Sequence, residues 1–178
     1  MVLFLLVFQF FTSVGLACED LESPQVVFQV AWISPVRKSS RAKEMIEVVP
    51  FAKLRTWVHN NKADAKQILH YLGKLPANSK KKIDPADYKI TVFDIHRDSL
   101  CRPIKDKPVG EVVNEVPICL EKHTKRINWR SRHGYTGCGY VIDTSTGLRS
   151  LDVFRISWQD ASANGFCVLP LQRFLSEA

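Results

Sequence analysis

Apolar and polar positions alternate along residues 88–95 (YKITVFDI), the period of a strand with one face buried. Residues 25–33 (QVVFQVAWI) are dense in β-branched and aromatic side chains and read as a second strand, closed by Ser34, Pro35 and a basic loop. Residues 43–60 fit helix or strand and are broken at Pro50. Between residues 62 and 75 the period changes: Ala65, Ile68, Leu69, Leu72 and Leu75 recur at three- and four-residue steps, with Asn61 offering a cap and Gly73 a stop. Short strands then follow at residues 112–120, at 139–143 paired with 150–156 across a turn holding Gly147, and at 166–169. The pattern predicts an α+β fold, one main helix packed on an antiparallel meander of about four to five strands.

The N-terminus has a different pattern. Residues 1–17 carry no charge, contain an apolar run over positions 2–11 and end in Gly15, Leu16 and Ala17, the features of a secretory signal peptide cut before Cys18. That run is shorter than the roughly 20 residues needed to span a bilayer. The expectation is a secreted, soluble, monomeric protein without a membrane partner, residues 18–178 forming a single domain. Export makes disulfides the expected state of Cys18, Cys101, Cys119, Cys138 and Cys167, and no CxxC spacing suggests a metal. Cys18 and Cys167 bracket the mature chain and are expected to pair. Cys101, Cys119 and Cys138 can then form one further bridge, in any of three pairings.

The 25 lysines and arginines outnumber the 18 acids, a net charge of +7 that favours polyanionic partners. The excess is concentrated: from residue 122 to 142 there is no acid, while Lys122, Lys125, Arg126, Arg130 and Arg132 interleave with His123, Trp129, His133 and Tyr135. Cations neutralise phosphates and flat rings stack on bases, so this segment is a candidate surface for single-stranded RNA. The chain has no G-x-S-x-G, P-loop or H-E-x-x-H motif, which excludes the hydrolase, nucleotide-binding and zinc-protease classes those motifs define, and no cofactor is expected. Two residues stand out for acid–base chemistry. His96 ends the strand at 88–95, and Glu115 lies inside the expected strand at 112–120, where a carboxylate is costly to bury without a partner or a task.

Glu115, Val116, Pro117, Ile118, Cys119 and Leu120 resemble the E-x-P-I-L segment of the small fungal guanyl-preferring ribonucleases, with His96 upstream near the place of their first catalytic histidine. Gly134-Tyr135-Thr136-Gly137 is similar to their Y-x-G-G loop, and the segments around Asp152 and Asn164 to Cys167 resemble their last strands and closing cysteine. The resemblance implies RNA cleavage with Glu115 and His96 as the base pair, an arginine on the phosphorane and a second histidine as general acid. The arginine would fall near Tyr140 and the second histidine near Arg155 or Ile156, so neither residue type stands where it is needed. A secreted chain of this kind, opened and closed by cysteines, is similar to the RNase-like effectors of powdery mildew fungi. That resemblance implies delivery into the host cytoplasm, binding of host RNA or host proteins, and recognition by a plant immune receptor, without catalysis. The alternatives are an active endoribonuclease and an extracellular structural or inhibitory protein.

Overall fold

A computed structural model describes residues 28–39, 41–42, 44–76, 78–104, 110–113, 116–120, 140–142 and 149–178. Strand β1 (Phe28–Pro35) lies at the centre of a five-stranded sheet, paired antiparallel to β2 (Met45–Pro50) on one side and β3 (Tyr88–Ile95) on the other. The segment compatible with both helix and strand is both. Pro50 ends β2, and its fixed φ starts helix α1 (Phe51–Asn61), whose Phe51, Leu54 and Val58 face the core. Lys62, at a φ of 47°, turns the chain out of α1.

Helix α2 (Ala65–Tyr71) is shorter than the predicted 62–75 and is capped by Asp64 rather than Asn61. The Asp64 carboxylate accepts from the Gln67 backbone N–H at 2.7 Å, and the Gln67 amide oxygen accepts from Asp64 N–H at 2.7 Å. Asn61 instead closes α1, donating to the Trp57 carbonyl at 2.8 Å. The apolar period nevertheless outlasts the helix, because Leu72 and Leu75 remain buried in the turn after it, where Gly73 has a φ of 66°.

A single-turn 3₁₀ helix (Pro85–Asp87) leads into β3, which has the predicted bounds. After β3 the expectation of a meander fails. Residues 112–120 are not a strand of the main sheet: β4 (Val112–Val113) and β5 (Val116–Pro117) pair with each other, Val113 opposite Val116. Strands β6 (Tyr140–Ile142) and β7 (Arg149–Asp152) form a hairpin as expected, but the strand expected over 150–156 is broken, and only its first part pairs with β6. Val153 then redirects the chain into β8 (Phe154–Ser157), which joins the main sheet beside β2, followed by α3 (Trp158–Ser162). Strand β9 (Phe166–Pro170) pairs with β3, and α4 (Leu171–Glu177) follows, giving the order β8-β2-β1-β3-β9. The α+β class holds, with four α-helices among the described residues in place of one main helix.

Alternation along β1 and β3 divides the core between two faces. Ala31, Ile33, Ile90 and Val92 pack under Leu54, Ile68, Leu69, Leu171 and Phe174 of α1, α2 and α4. On the opposite face Val30, Trp32, Phe93 and Ile95 meet Leu100, Val116, Phe154 and Ala161. Among the described residues no helix is long and apolar enough to cross a membrane.

Candidate functional site

The chain leaves β3 at His96, makes a 3₁₀ turn (Arg97–Ser99) and buries Leu100 on the face opposite the helices. It then adds Cys101 to the free edge of β8: Cys101 and Arg155 exchange both backbone hydrogen bonds, at 3.0 and 2.8 Å. Arg102 donates its backbone N–H to the Pro117 carbonyl and accepts from Cys119 N–H, and the Cys101–Cys119 disulfide locks this junction. Of the three pairings left open for Cys101, Cys119 and Cys138, the structure selects this one. Cys167 is also disulfide-bonded. The expected partner, Cys18, lies outside the described residues, as does Cys138.

The junction gathers charge that sequence reasoning missed. Arg102 Nη1 donates to Asp152 Oδ1 at 2.9 Å, and both side chains are buried. The Arg102 guanidinium also lies 4.7 Å from the centre of the Phe154 ring, within cation–π range. Lys53 of α1 reaches Asp152 Oδ2 at 3.5 Å from the surface. On the neighbouring strands, Arg155 Nη2 lies 3.8 Å from Glu47 Oε1, a pairing fixed by the β2–β8 register that sets Glu47 opposite Arg155. The available signal was a lone charge in an apolar strand, Glu47 in MIEVVP and Arg155 in FRIS. Such charges are buried only with partners. Beside the disulfide, Met45, Leu100, Pro117, Ile118 and Ser157 line a concavity of about 380 Å³.

His96 is 52% exposed at the end of β3, its Nδ1 3.7 Å from the Asp98 carboxylate. Strand β3 is three places from β8 in the sheet, roughly 14 Å at ordinary strand spacing, so His96 and the Arg155–Glu47 pair do not converge. Ile156, the other position where the resemblance needs a second histidine, is completely buried in the core. Glu115 lies outside the described residues; the short strands flanking it belong to the β4–β5 pair, not to a central strand. The proposed RNA-binding residues Lys122, Lys125, Arg126, Trp129, Arg130, Arg132 and Tyr135, and the spare His123 and His133, also lie outside them. Among the described residues no group of three His, Cys, Asp or Glu side chains could hold a metal ion. No family model, curated protein or solved structure matches the chain.

Proposed function

We propose that this chain is a secreted, ribonuclease-like effector that binds host RNA without cleaving it. The observation that carries this reading is the fate of the position where a general acid is needed. Arg155 is buried and faces Glu47 on the adjacent strand, and Ile156 belongs to the core, so both side chains are committed to the sheet. An arginine stays protonated at all ordinary pH and cannot donate a proton to a leaving oxygen. Loss of a general acid lowers a rate by about 10² to 10⁴. The acid-free stretch over residues 122–142 supplies cations and rings for binding without chemistry.

The purified mature protein is expected to turn over a guanylyl dinucleotide no faster than its Glu115→Ala variant. Turnover well above that control would replace this reading with an endoribonuclease using Glu115 and His96. Binding is tested by titrating a labelled single-stranded RNA at several salt concentrations. Every phosphate that is no longer neutralised flattens the log–log slope by roughly 0.7, so removing Arg126, Arg130 and Arg132 together is expected to flatten it by about 2. Trp129→Ala is expected to weaken binding with the slope kept, because stacking releases few ions. A triple variant that binds like the parent would shift the partner from RNA to a host protein.

A further inference from the structure

Among the described residues, the face opposite α1, α2 and α4 carries exposed apolar side chains at its β9 side. Strand register lays three rows across it: Val30, Phe93 and Phe166; Trp32, Thr91 and Val168; Ser34, Lys89 and Pro170. Paired residues of antiparallel strands project to the same side, so each row shares the face on which Val30, Trp32 and Phe93 are buried. The rows start in the core and end in solvent, where Phe166 and Val168 are each 46% exposed.

Phe166 is not a loose surface ring. Its centroid lies 5.9 Å from Phe93 and 5.6 Å from Trp158, and Trp158 in turn lies 5.5 Å from both Trp32 and Phe93. Packing against fixed rings on one side leaves the remainder of Phe166 as a preorganised flat surface, which loses little rotamer entropy on binding. The surroundings are cationic. The β1–β2 loop is pinned to α3 by Trp158 N–H donating to the Glu44 carbonyl and Gln159 N–H donating to the Ala42 carbonyl. This loop sets the Lys38 ammonium 5.5 Å from the centre of the Trp32 ring and carries exposed Arg37 and Arg41. Lys89 stands beside the Val168 row. Of the acids nearby, Glu44 pairs with Lys38 at 2.7 Å, Asp160 accepts from the Ser157 hydroxyl, and Asp87 is exposed, its carbonyl accepting from Val36 N–H; Arg37, Arg41 and Lys89 keep the cations in excess.

We infer that this β9 face is a stacking site for single-stranded RNA, in which Phe166 receives a base, Val168 makes the adjoining apolar contact, and Arg37, Lys38 and Lys89 meet phosphates. The inference rests on the RNA-binding reading above and adds a site built from different residues than 122–135. The chemistry favours a nucleotide over an apolar protein segment. A nucleotide brings a flat ring and a negative charge together, matching a ring set among cations. An apolar segment would cover Phe166 and Val168 while drawing the Lys89 ammonium, on the adjoining strand, out of water.

The test uses the mature protein with two labelled ligands, an oligouridylate and heparin, a polyanion with no base to stack. Phe166→Ala and Phe166→Leu are expected to weaken oligouridylate binding by about 5- to 150-fold at an unchanged salt slope and to leave heparin binding as it was. The leucine variant keeps apolar volume, so a native melting temperature separates impaired stacking from impaired folding. Lys38→Gln with Lys89→Gln is expected to weaken both ligands and flatten the slope by roughly 0.7 per phosphate released. If the parent binds RNA but both Phe166 variants bind equally well, this site is wrong and the RNA-binding reading stands. If the parent fails to bind RNA even at low salt, both fall. Loss of self-association in the Phe166 variants, seen by sedimentation with RNA affinity unchanged, would reassign the face to protein contact and overturn the inference.

Discussion

Beneath the helices, Leu54, Ile68 and Leu69 are removed from water against Ile90 and Val92, and the layer is assembled from many separate apolar contacts. At the β8 margin of the same sheet, burial extends to Arg102, Asp152 and Arg155, and the parts are joined by ion pairs and a covalent bridge. The two regions therefore fail differently. Apolar packing is divisible, since each side chain contributes its own transfer and cavity terms. A buried ion pair is not, because removing one partner leaves the other charged in a poor solvent. The helical layer can lose a polar cap and persist. The margin concentrates its stability in a few groups.

The largest expected effect follows from that contrast. Asp152→Ala should cost about 3–5 kcal/mol in a urea unfolding titration, because it removes the buried carboxylate that pairs with the Arg102 guanidinium. Replacing both partners, Arg102→Met with Asp152→Leu, should recover most of the loss, since apolar groups of similar volume avoid the desolvation of two charges. A double variant as unstable as Asp152→Ala alone would show that the pair is not the source of the margin's strength.

The next effect tests the covalent part. Cys101 and Cys119 are 18 positions apart, and in the chain-entropy model a loop of that size is worth about 3 kcal/mol. Cys101→Ala with Cys119→Ala should lose that amount in the same titration. Proteolysis under native conditions should then cut near residues 110–120 before any site in α1 or α2. A loss below about 1 kcal/mol would mean that the backbone bridges of Cys101 to Arg155 and of Arg102 to Ile118 hold the junction unaided.

The two regions were also unequally legible in the sequence. Strand β3 was readable to the residue, because apolar and polar residues alternate from Tyr88 to Val92 and again, in the opposite phase, from Phe93 to Ile95, and the neighbours are polar; the phase change at Val92–Phe93 matches a strand buried on both faces. The hairpin β6–β7 and strand β9 were readable for the same local reasons. Helices α1 and α4 do not emerge from the period alone, yet both carry local signals. Pro50 and Pro170 each immediately precede a helix, and Phe51, Leu54 and Val58, like Leu171 and Phe174, recur at helical steps. Strand order was not readable, since no periodicity in β8 says that its neighbour is β2. Residues 112–120 misled for a related reason. Their apolar character reflects contact of Val116 and Ile118 with the rest of the fold, not membership of the main sheet. Of the candidate site, His96 was placed correctly at a strand end, but the burial of Arg155 depends on Glu47, a residue distant in sequence, and local pattern does not carry such pairings.

The smallest effect lies in the helical layer. Asp64 and Gln67 satisfy each other's backbone N–H groups, and α2 is only two turns long, so its start depends on this box more than a long helix would. Asp64 is solvent-exposed, and its removal opens no cavity and strands no buried charge. Asp64→Ala should therefore cost about 1 kcal/mol, the ordinary worth of an N-cap, with Asp64→Ser retaining most of the stability. Ile68 and Leu69, on the turn after the cap, remain packed against the sheet and keep α2 in place while its first turn frays. Amide exchange should consequently quicken at Gln67 and its neighbours and stay slow in β1 and β3. Exchange that quickened equally across the sheet would show that this cap supports the whole layer, and would erase the contrast with the β8 margin.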